Sequence, residues 1–322
     1  MKKVFIALAT VGLLSALIWA VCSFCPRTYK ATDYAMNTVV TITVKSTNPK
    51  ADARMALQEV KRIDALMSAT RSSSDVGRIN SAAHGTRVRV SREVYSLIDM
   101  SLDISRKTDG AFDISINPLA ELWNINSPNP GVPADSQIKA ALSLVSYKDI
   151  ALDPADSTVT LQKPGMSINL GAIAKGYAAD SVAKILTDRG VSEAIVDLGG
   201  NVYVVGKEKT IGIQAPFKPR GAYFDVCKAS DTSVVTSGAY ERYFKAENGK
   251  IYHHILDPHT GYPAQNGIKS STVICKSSAL ADGLSTAFYV LGESGAREVV
   301  SGFEGVEVIL LTDKDRIVKL SN

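Results

Sequence analysis

Thr and Val alternate from Thr38 to Val44, the two-residue period of a half-buried strand. The period then changes. Asn48 and Pro49 open a stretch whose apolar positions, Ala56, Val60, Ile63 and Met67, recur at helical spacing, which predicts a capped helix. The polar stretch Ser68 to Ser74 predicts a loop. Ser91 opens a second helix with Val94, Leu97, Ile98 and Leu102 inward. Lys107 to Asp113 is rich in turn residues, and Ser127 to Pro133 is a Pro/Asn/Gly loop. A short helix follows from Asp135, then a hairpin over Asp149 to Gln162 and a strand ending near Leu170. Gly171 to Arg189 reads as a helix, with Ile173, Tyr177, Val182 and Leu186 on one side and Gly190 just past its end.

Beyond Gly190 the pattern is mostly that of strands: Ala194 to Val205, Thr210 to Gln214, Tyr223 to Ala229 and Ser233 to Thr236. Asn248-Gly249 is a strong turn signal, and it joins a hairpin over Tyr243 to Ile255. Another strand is expected at Ser271 to Cys275. Ser277 caps a helix to Leu291, a further helix starts near Glu293, and the chain ends in a hairpin around Asp313. Strands and helices mix without a βα repeat. The fold class is therefore α+β, with mixed, largely antiparallel sheets and packed helices. A boundary near Pro164 has no flexible linker to support it.

The N-terminus departs from this pattern. Lys2 and Lys3 precede an uncharged apolar run from Val4 to Phe24, long enough to span a bilayer. Residues 1–25 thus read as a signal peptide or N-terminal membrane anchor, with export as the consequence. Cys22 and Cys25 raise lipidation, although Trp19, Ala20 and Val21 are bulkier than a lipoprotein cleavage site usually accepts. In the body only Cys227 and Cys275 remain, and both read as buried free thiols rather than a zinc or disulfide framework. The formal charge is +4, of which the leader lysines supply two, and the basic residues are scattered. That excludes a nucleic-acid footprint.

Gly-rich turns abound, but no nucleotide fingerprint fits them. Gly171 and Gly176 have Walker-like spacing, yet Lys175 precedes the second glycine, where a P-loop lysine must follow it. What remains is a set of turns dense in small and polar residues: Thr108 to Asp113, Asn169 to Tyr177, Asp197 to Asn201, His253 to Gly261 and Ala281 to Thr286. The second is expected to place a helix N-terminus after a strand, where free N–H groups favour a diphosphate and Lys175 adds a cation. The last puts Asp282 and Thr286 at i and i+4 on one helix face, hard oxygen donors that suit Mg²⁺ shared with phosphates. Gly283 between them is poor inside a helix, which points to close approach of a ligand or another backbone. His253 and His254, adjacent in a strand, point to opposite faces, so a zinc pair is excluded. Each turn taken alone also has an ordinary structural reading.

Taken in order, these turns resemble the ApbE family of FAD:protein FMN transferases. The resemblance includes Met36-Asn37-Thr38, Leu66-Met67-Ser68, Asp75-Val76 with Arg78 and Asn80, Asn117-Pro118-Leu119 before Trp123, and Thr236-Ser237-Gly238 followed by Tyr240 to Phe244. It runs on through Val290-Leu291-Gly292. It implies a flavin transferase domain over residues 30–322, with an ApbE-like, T-fold-related architecture. It also implies a reaction: FAD binds with Mg²⁺, a threonine hydroxyl of an acceptor protein attacks the phosphorus bearing FMN, and AMP leaves. By motif, the carbonyl of Ala172 and the side chains of Asp282 and Thr286 would hold Mg²⁺. Met36, Thr70, Ala111, Phe112, Asp113, Asn169, Lys175, His253, His254, Leu256 and Asp257 would line the FAD site.

Asp282, Lys175 and His254 are the candidate catalytic groups, with His253 an alternative base and His259 a weaker one. Many relatives carry Asp at the position of Asn169, and Asn can serve neither as a charged ligand nor as a base. Relatives often carry an aromatic at the position of Thr70, which Thr cannot replace as a stacking surface. The implied partner is a membrane redox-complex subunit bearing a Ser/Thr-Gly-Ala-Thr-type motif, met on the periplasmic face of the inner membrane by an anchored or lipidated enzyme. The alternatives are an FAD pyrophosphatase, with water in place of threonine, and a non-catalytic FAD-binding lipoprotein.

Overall fold

The computed structural model describes residues 25–219, 221–247 and 249–322. The leader readings at residues 1–24, Cys22 included, and the Asn248 half of the Asn248-Gly249 turn lie outside the described residues. Among the described residues no helix is long and apolar enough to cross a membrane.

In chain order the strands and helices are β1 (Arg27–Ala35), β2 (Thr38–Ser46), α1 (Pro49–Met67), α2 (Asp75–Ser81), β3 (Val88–Arg89), α3 (Arg92–Lys107), α4 (Asn117–Trp123), α5 (Asp135–Leu142), β4 (Ile150–Asp153), β5 (Thr158–Leu161) and α6 (Ala174–Asp188). Then come β6 (Glu193–Asp197), β7 (Asn201–Gly206), β8 (Lys209–Gln214), β9 (Tyr223–Ala229), β10 (Thr232–Gly238), β11 (Tyr243–Lys245), β12 (Ile251–His253), β13 (Ile268–Cys275), α7 (Ser278–Val299), β14 (Glu307–Thr312) and β15 (Ile317–Ser321). The central sheet has eight strands in the order β1-β2-β6-β7-β10-β13-β14-β15, every neighbouring pair antiparallel. The α+β, antiparallel expectation is therefore met.

The strand period sets which face is wet. Val40, Ile42 and Val44 of β2 are fully buried while Thr41 and Thr43 point the other way. Helices α1, α3, α6 and α7 bury their apolar stripes in the large core that also holds this face of the sheet. The β8–β9 ribbon covers part of the opposite face through Ile213 and Ala229 packed with Val204, Val234, Ile274 and Ile309. A smaller cluster around Trp123, Tyr252 and Leu256 ties α4 to the β12 region, and Trp123 Nε1 donates to the Gly261 carbonyl (2.8 Å).

Several local expectations are corrected. Ala194 to Val205 is not one strand: Gly199 and Gly200, with φ of +71° and +89°, turn it back as β6 and β7. No strand ends at Leu170, because residues 162–170 carry no ladder, and helix α6 begins at Ala174 rather than Gly171. Strand β1 and helices α2 and α4 were not anticipated. Their short apolar patterns gain meaning only from the neighbours they pack on. Asn48 occupies the N-cap of α1, yet its side chain makes no cap bond; Ser91 and Ser277 do cap α3 and α7. Gly292, at φ +70°, breaks α7 between Leu291 and Glu293, as its two-helix pattern predicted. Cys275 is buried and Cys227 half-buried, both free, with burial pushing their thiols up to about 12 and about 11.

Candidate functional site

The site grows from the crossing of α6 and α7. Gly176 lies in the first turn of α6, and a Cβ there would fall 2.2 Å from the Ser278 carbonyl oxygen and 2.6 Å from the Ala279 Cα. Only glycine lets the two helix N-termini approach so closely. Asp180 of α6 then caps α7, accepting from the Ser278 N–H (2.7 Å) and the Ala279 N–H (2.9 Å), while its burial raises its carboxyl.

That crossing brings Asp282 to the start of α6. Asp282 is nearly fully buried, and its Oδ2 accepts from the Gly176 N–H (2.9 Å). Its Oδ1 faces the Lys175 Nζ at 3.6 Å, an ion pair too long for a hydrogen bond. Lys175 folds back along its own helix and donates to the Gly171 carbonyl (3.2 Å), next to Ala172. The expected diphosphate cradle is thus partly taken: one of the first N–H groups of α6 already serves a carboxylate.

Thr286 stands one turn beyond Asp282, and its Oγ1 lies 3.3 Å from Ser237 Oγ, which also contacts Ser285 Oγ (2.7 Å). Ser271 pairs directly with Ser237 across β10 and β13 and so shares its sheet face. Its hydroxyl is fully buried and has no hydrogen-bond partner among the described residues. Ser237, Ser271 and Ser285 received no role from the sequence. Helix packing brings Ser237 against Ser285 and Thr286, and strand register sets Ser271 opposite Ser237.

One carboxylate, several hydroxyls and a nearby carbonyl are hard donors that fit Mg²⁺. Among the described residues no three His, Cys, Asp or Glu side chains converge as a metal centre. A cation held at Asp282 and Thr286 would complete its shell with oxygens other than these side chains, such as water or phosphate. Gly283 is corrected here: the space beside it belongs to Ile104, Ile173 and Phe112, with Ile104 Cδ1 2.7 Å from a built Cβ, and not to a ligand or backbone.

The two histidines separate as strand alternation requires. His253 is buried, its Nε2 against the Ala264 carbonyl (3.0 Å) and its Nδ1 accepting from the Ile255 N–H (3.3 Å). Burial lowers its pKa, and both nitrogens are spent. His254 uses Nδ1 at the Arg242 carbonyl (3.3 Å), which leaves Nε2 as the acceptor in the neutral ring. Crowding around the ring, with Arg242 and Lys175 nearby, favours the neutral form. His254 is nonetheless exposed to water, which keeps the depression smaller than full burial would give. Arg242 also donates to the Asn37 carbonyl (3.1 Å), so it ties His254 to the β1–β2 turn where Met36 and Asn37 hold φ of +51° and +58°.

The remaining expected residues fall into two groups. Ala111, Phe112 and Leu256 have buried side chains in apolar clusters, which leaves their backbone to meet any ligand. Asp113 accepts from the Ser115 N–H (2.8 Å), Ser115 Oγ (2.6 Å) and the Tyr147 N–H (2.8 Å), and burial raises its carboxyl. Asp257 organises its own turn through His259 and Thr260. Asn169 donates from Nδ2 to Asn117 Oδ1 (3.1 Å) and accepts from the Gly171 N–H (2.8 Å), a pairing in which its amide donor is used. Thr70 is exposed on its loop beside Ala69, which lines a cavity of about 300 Å³ with Asn80, Asn117, Glu121 and Ser167.

The family model described as the ApbE family matches residues 36–310. An FAD:protein FMN transferase of Klebsiella pneumoniae is 38% identical over 296 residues, 92% of each chain. One of Treponema pallidum is 33% identical, covering 90% of this chain and 86% of its own. The crystal structure of the apbe protein from Thermotoga maritima superposes with a TM-score of 0.83 at 37% identity, over 91% of this chain and 97% of that one.

Proposed function

This chain belongs to the ApbE family, and on that premise we propose that it transfers FMN from FAD to a threonine hydroxyl of an acceptor protein with the help of Mg²⁺. The observation that carries the metal-assisted reading is the buried Asp282 carboxylate one turn from Thr286, beside Lys175. Asp282, Thr286 and the Ala172 carbonyl would hold Mg²⁺, which supplies charge neutralisation on the diphosphate. Lys175 adds a second positive charge for the same phosphates. The bond that forms joins the threonine oxygen to the phosphorus of FMN, the bond to AMP breaks, and His254 Nε2 is the base that takes the hydroxyl proton. Export, with the chain held on the outer face of the inner membrane, and a redox-subunit acceptor carrying a Ser/Thr-Gly-Ala-Thr-type motif belong to the same proposal. Incubation with FAD, Mg²⁺ and an acceptor peptide, read by mass spectrometry, tests it. A peptide that gains no FMN mass while FAD is only hydrolysed would leave a pyrophosphatase instead.

His254→Gln should lower transfer by about a hundredfold and flatten the acid limb of the pH profile. The limb should lie below the ordinary imidazole value, since a lowered pKa keeps the ring neutral into more acid solution. His253→Gln should lower thermal stability instead, because His253 bridges Ala264 and Ile255. A His254→Gln enzyme with an unchanged profile removes His254 from the chemistry.

Thr70→Tyr should lengthen FAD retention and slow Mg²⁺-dependent AMP release without acceptor, by adding a ring worth ~0.5–1.5 kcal/mol of stacking. If Tyr240 or Tyr243 covers the flavin instead, neither quantity will change. Both already belong to an edge-to-face cluster with Phe217.

A further inference from the structure

Lys175 holds its ammonium where the helix dipole alone would not put it. A cation in the first turn of a helix opposes the positive end of the helix dipole. The long side chain could extend to water, yet it folds back between the Gly171 carbonyl (3.2 Å) and Asp282 Oδ1 (3.6 Å). Its side chain keeps 24% exposure against 4% for Asp282. Besides Lys175, Asp282 has the Gly176 N–H at Oδ2. A carboxylate this buried needs a counter-ion, and without metal Lys175 is the cation paired with it.

We propose that Lys175 is the resident counter-ion of the metal site, and that a divalent cation entering at Asp282 displaces it toward the substrate's phosphates. This rests on the Mg²⁺ reading above. A divalent ion on Asp282 Oδ1 and an ammonium 3.6 Å from that same oxygen crowd two cations around one carboxylate. The lysine keeps its proton and swings outward on its own four-carbon stem. The locally neutral Lys175–Asp282 pair becomes a metal–carboxylate site of net charge +1, with a second positive charge at its mouth. That arrangement suits a diphosphate far better than the closed pair. Metal binding and FAD binding are thereby coupled, with Lys175 as the positioning residue between them.

The test uses Mg²⁺ alone, without FAD. In Lys175→Met, calorimetric titration should show Mg²⁺ binding about tenfold tighter than in the wild type, since no ammonium has to be expelled. In the wild-type protein, acetylation of Lys175 by an amine-reactive ester, followed by peptide mass spectrometry, should run several-fold faster with saturating Mg²⁺ than without it. Lys184, exposed and paired with Asp188 further along α6, should label at one rate throughout. Equal or weaker Mg²⁺ binding in Lys175→Met overturns the proposal. So does tighter binding with unchanged Lys175 labelling in the wild type, because that is repulsion without displacement. The labelling arm needs no variant, so a poorly folded Lys175→Met leaves it decisive. Wild-type FMN transfer to an acceptor peptide is scored separately, so failure of the flavin-transfer reading is distinguishable from failure of the displacement.

Discussion

Asp282→Asn should cut FMN transfer by about a thousandfold and abolish Mg²⁺ binding measured without FAD, with little change in melting temperature. Asn keeps the shape of the side chain and an oxygen able to accept from the Gly176 N–H, now 2.9 Å from Oδ2. It removes the one charge of an otherwise neutral donor set. Asp282→Ala should lose the same activity and also some stability, about 1–3 kcal/mol, because it strands a buried N–H. The pair of variants separates chemistry from folding. Near wild-type transfer by Asp282→Asn would move the metal elsewhere.

Gly176→Ala should disturb the fold as well as the site. A methyl group there meets a backbone carbonyl oxygen at 2.2 Å and a backbone Cα at 2.6 Å, neither of which can rotate away. Helices α6 and α7 must separate, at a cost of about 3 kcal/mol, and the Gly176 N–H leaves Asp282 as they do. Stability by denaturant titration and Mg²⁺ affinity should therefore fall together. Gly131→Ala, in an exposed loop with nothing within 4 Å of a built Cβ, is the control and should be neutral. A Gly176→Ala protein as stable as that control would mean that the close crossing does not hold the site.

The elements that the sequence announced are those with a long period or a strong local signal. The stripe of α1, the Ser91 and Ser277 caps, the Gly292 break and the β8–β9 strands are local physics, and each stands where it was expected. The i, i+4 placement of Asp282 and Thr286 is likewise a property of one helix. The order of the Gly-rich turns identified the family, because turn chemistry is written in consecutive residues.

Contacts between distant segments decided the rest. A single strand over Ala194 to Val205 and a strand reaching Leu170 were both reasonable from local pattern, and both fell to hydrogen bonding that the pattern does not contain. By local pattern Gly283 marks close approach of a ligand or another backbone, and the core fills the space with Ile104, Ile173 and Phe112. Ser237 meets Thr286 because α7 packs on β10, and Ser271 faces Ser237 through the register of β10 on β13, in a sheet whose strand order jumps along the chain. The sequence alone thus determined the elements with a long period or a strong cap or turn signal, the family and the identity of the charged groups, because helix period, caps and turns depend on near neighbours. The tertiary structure alone decided that Lys175 is paired with Asp282 and that His254, not His253, keeps a nitrogen without a partner among the described residues. Those outcomes depend on which backbone groups from remote segments claim each polar atom once the core has closed.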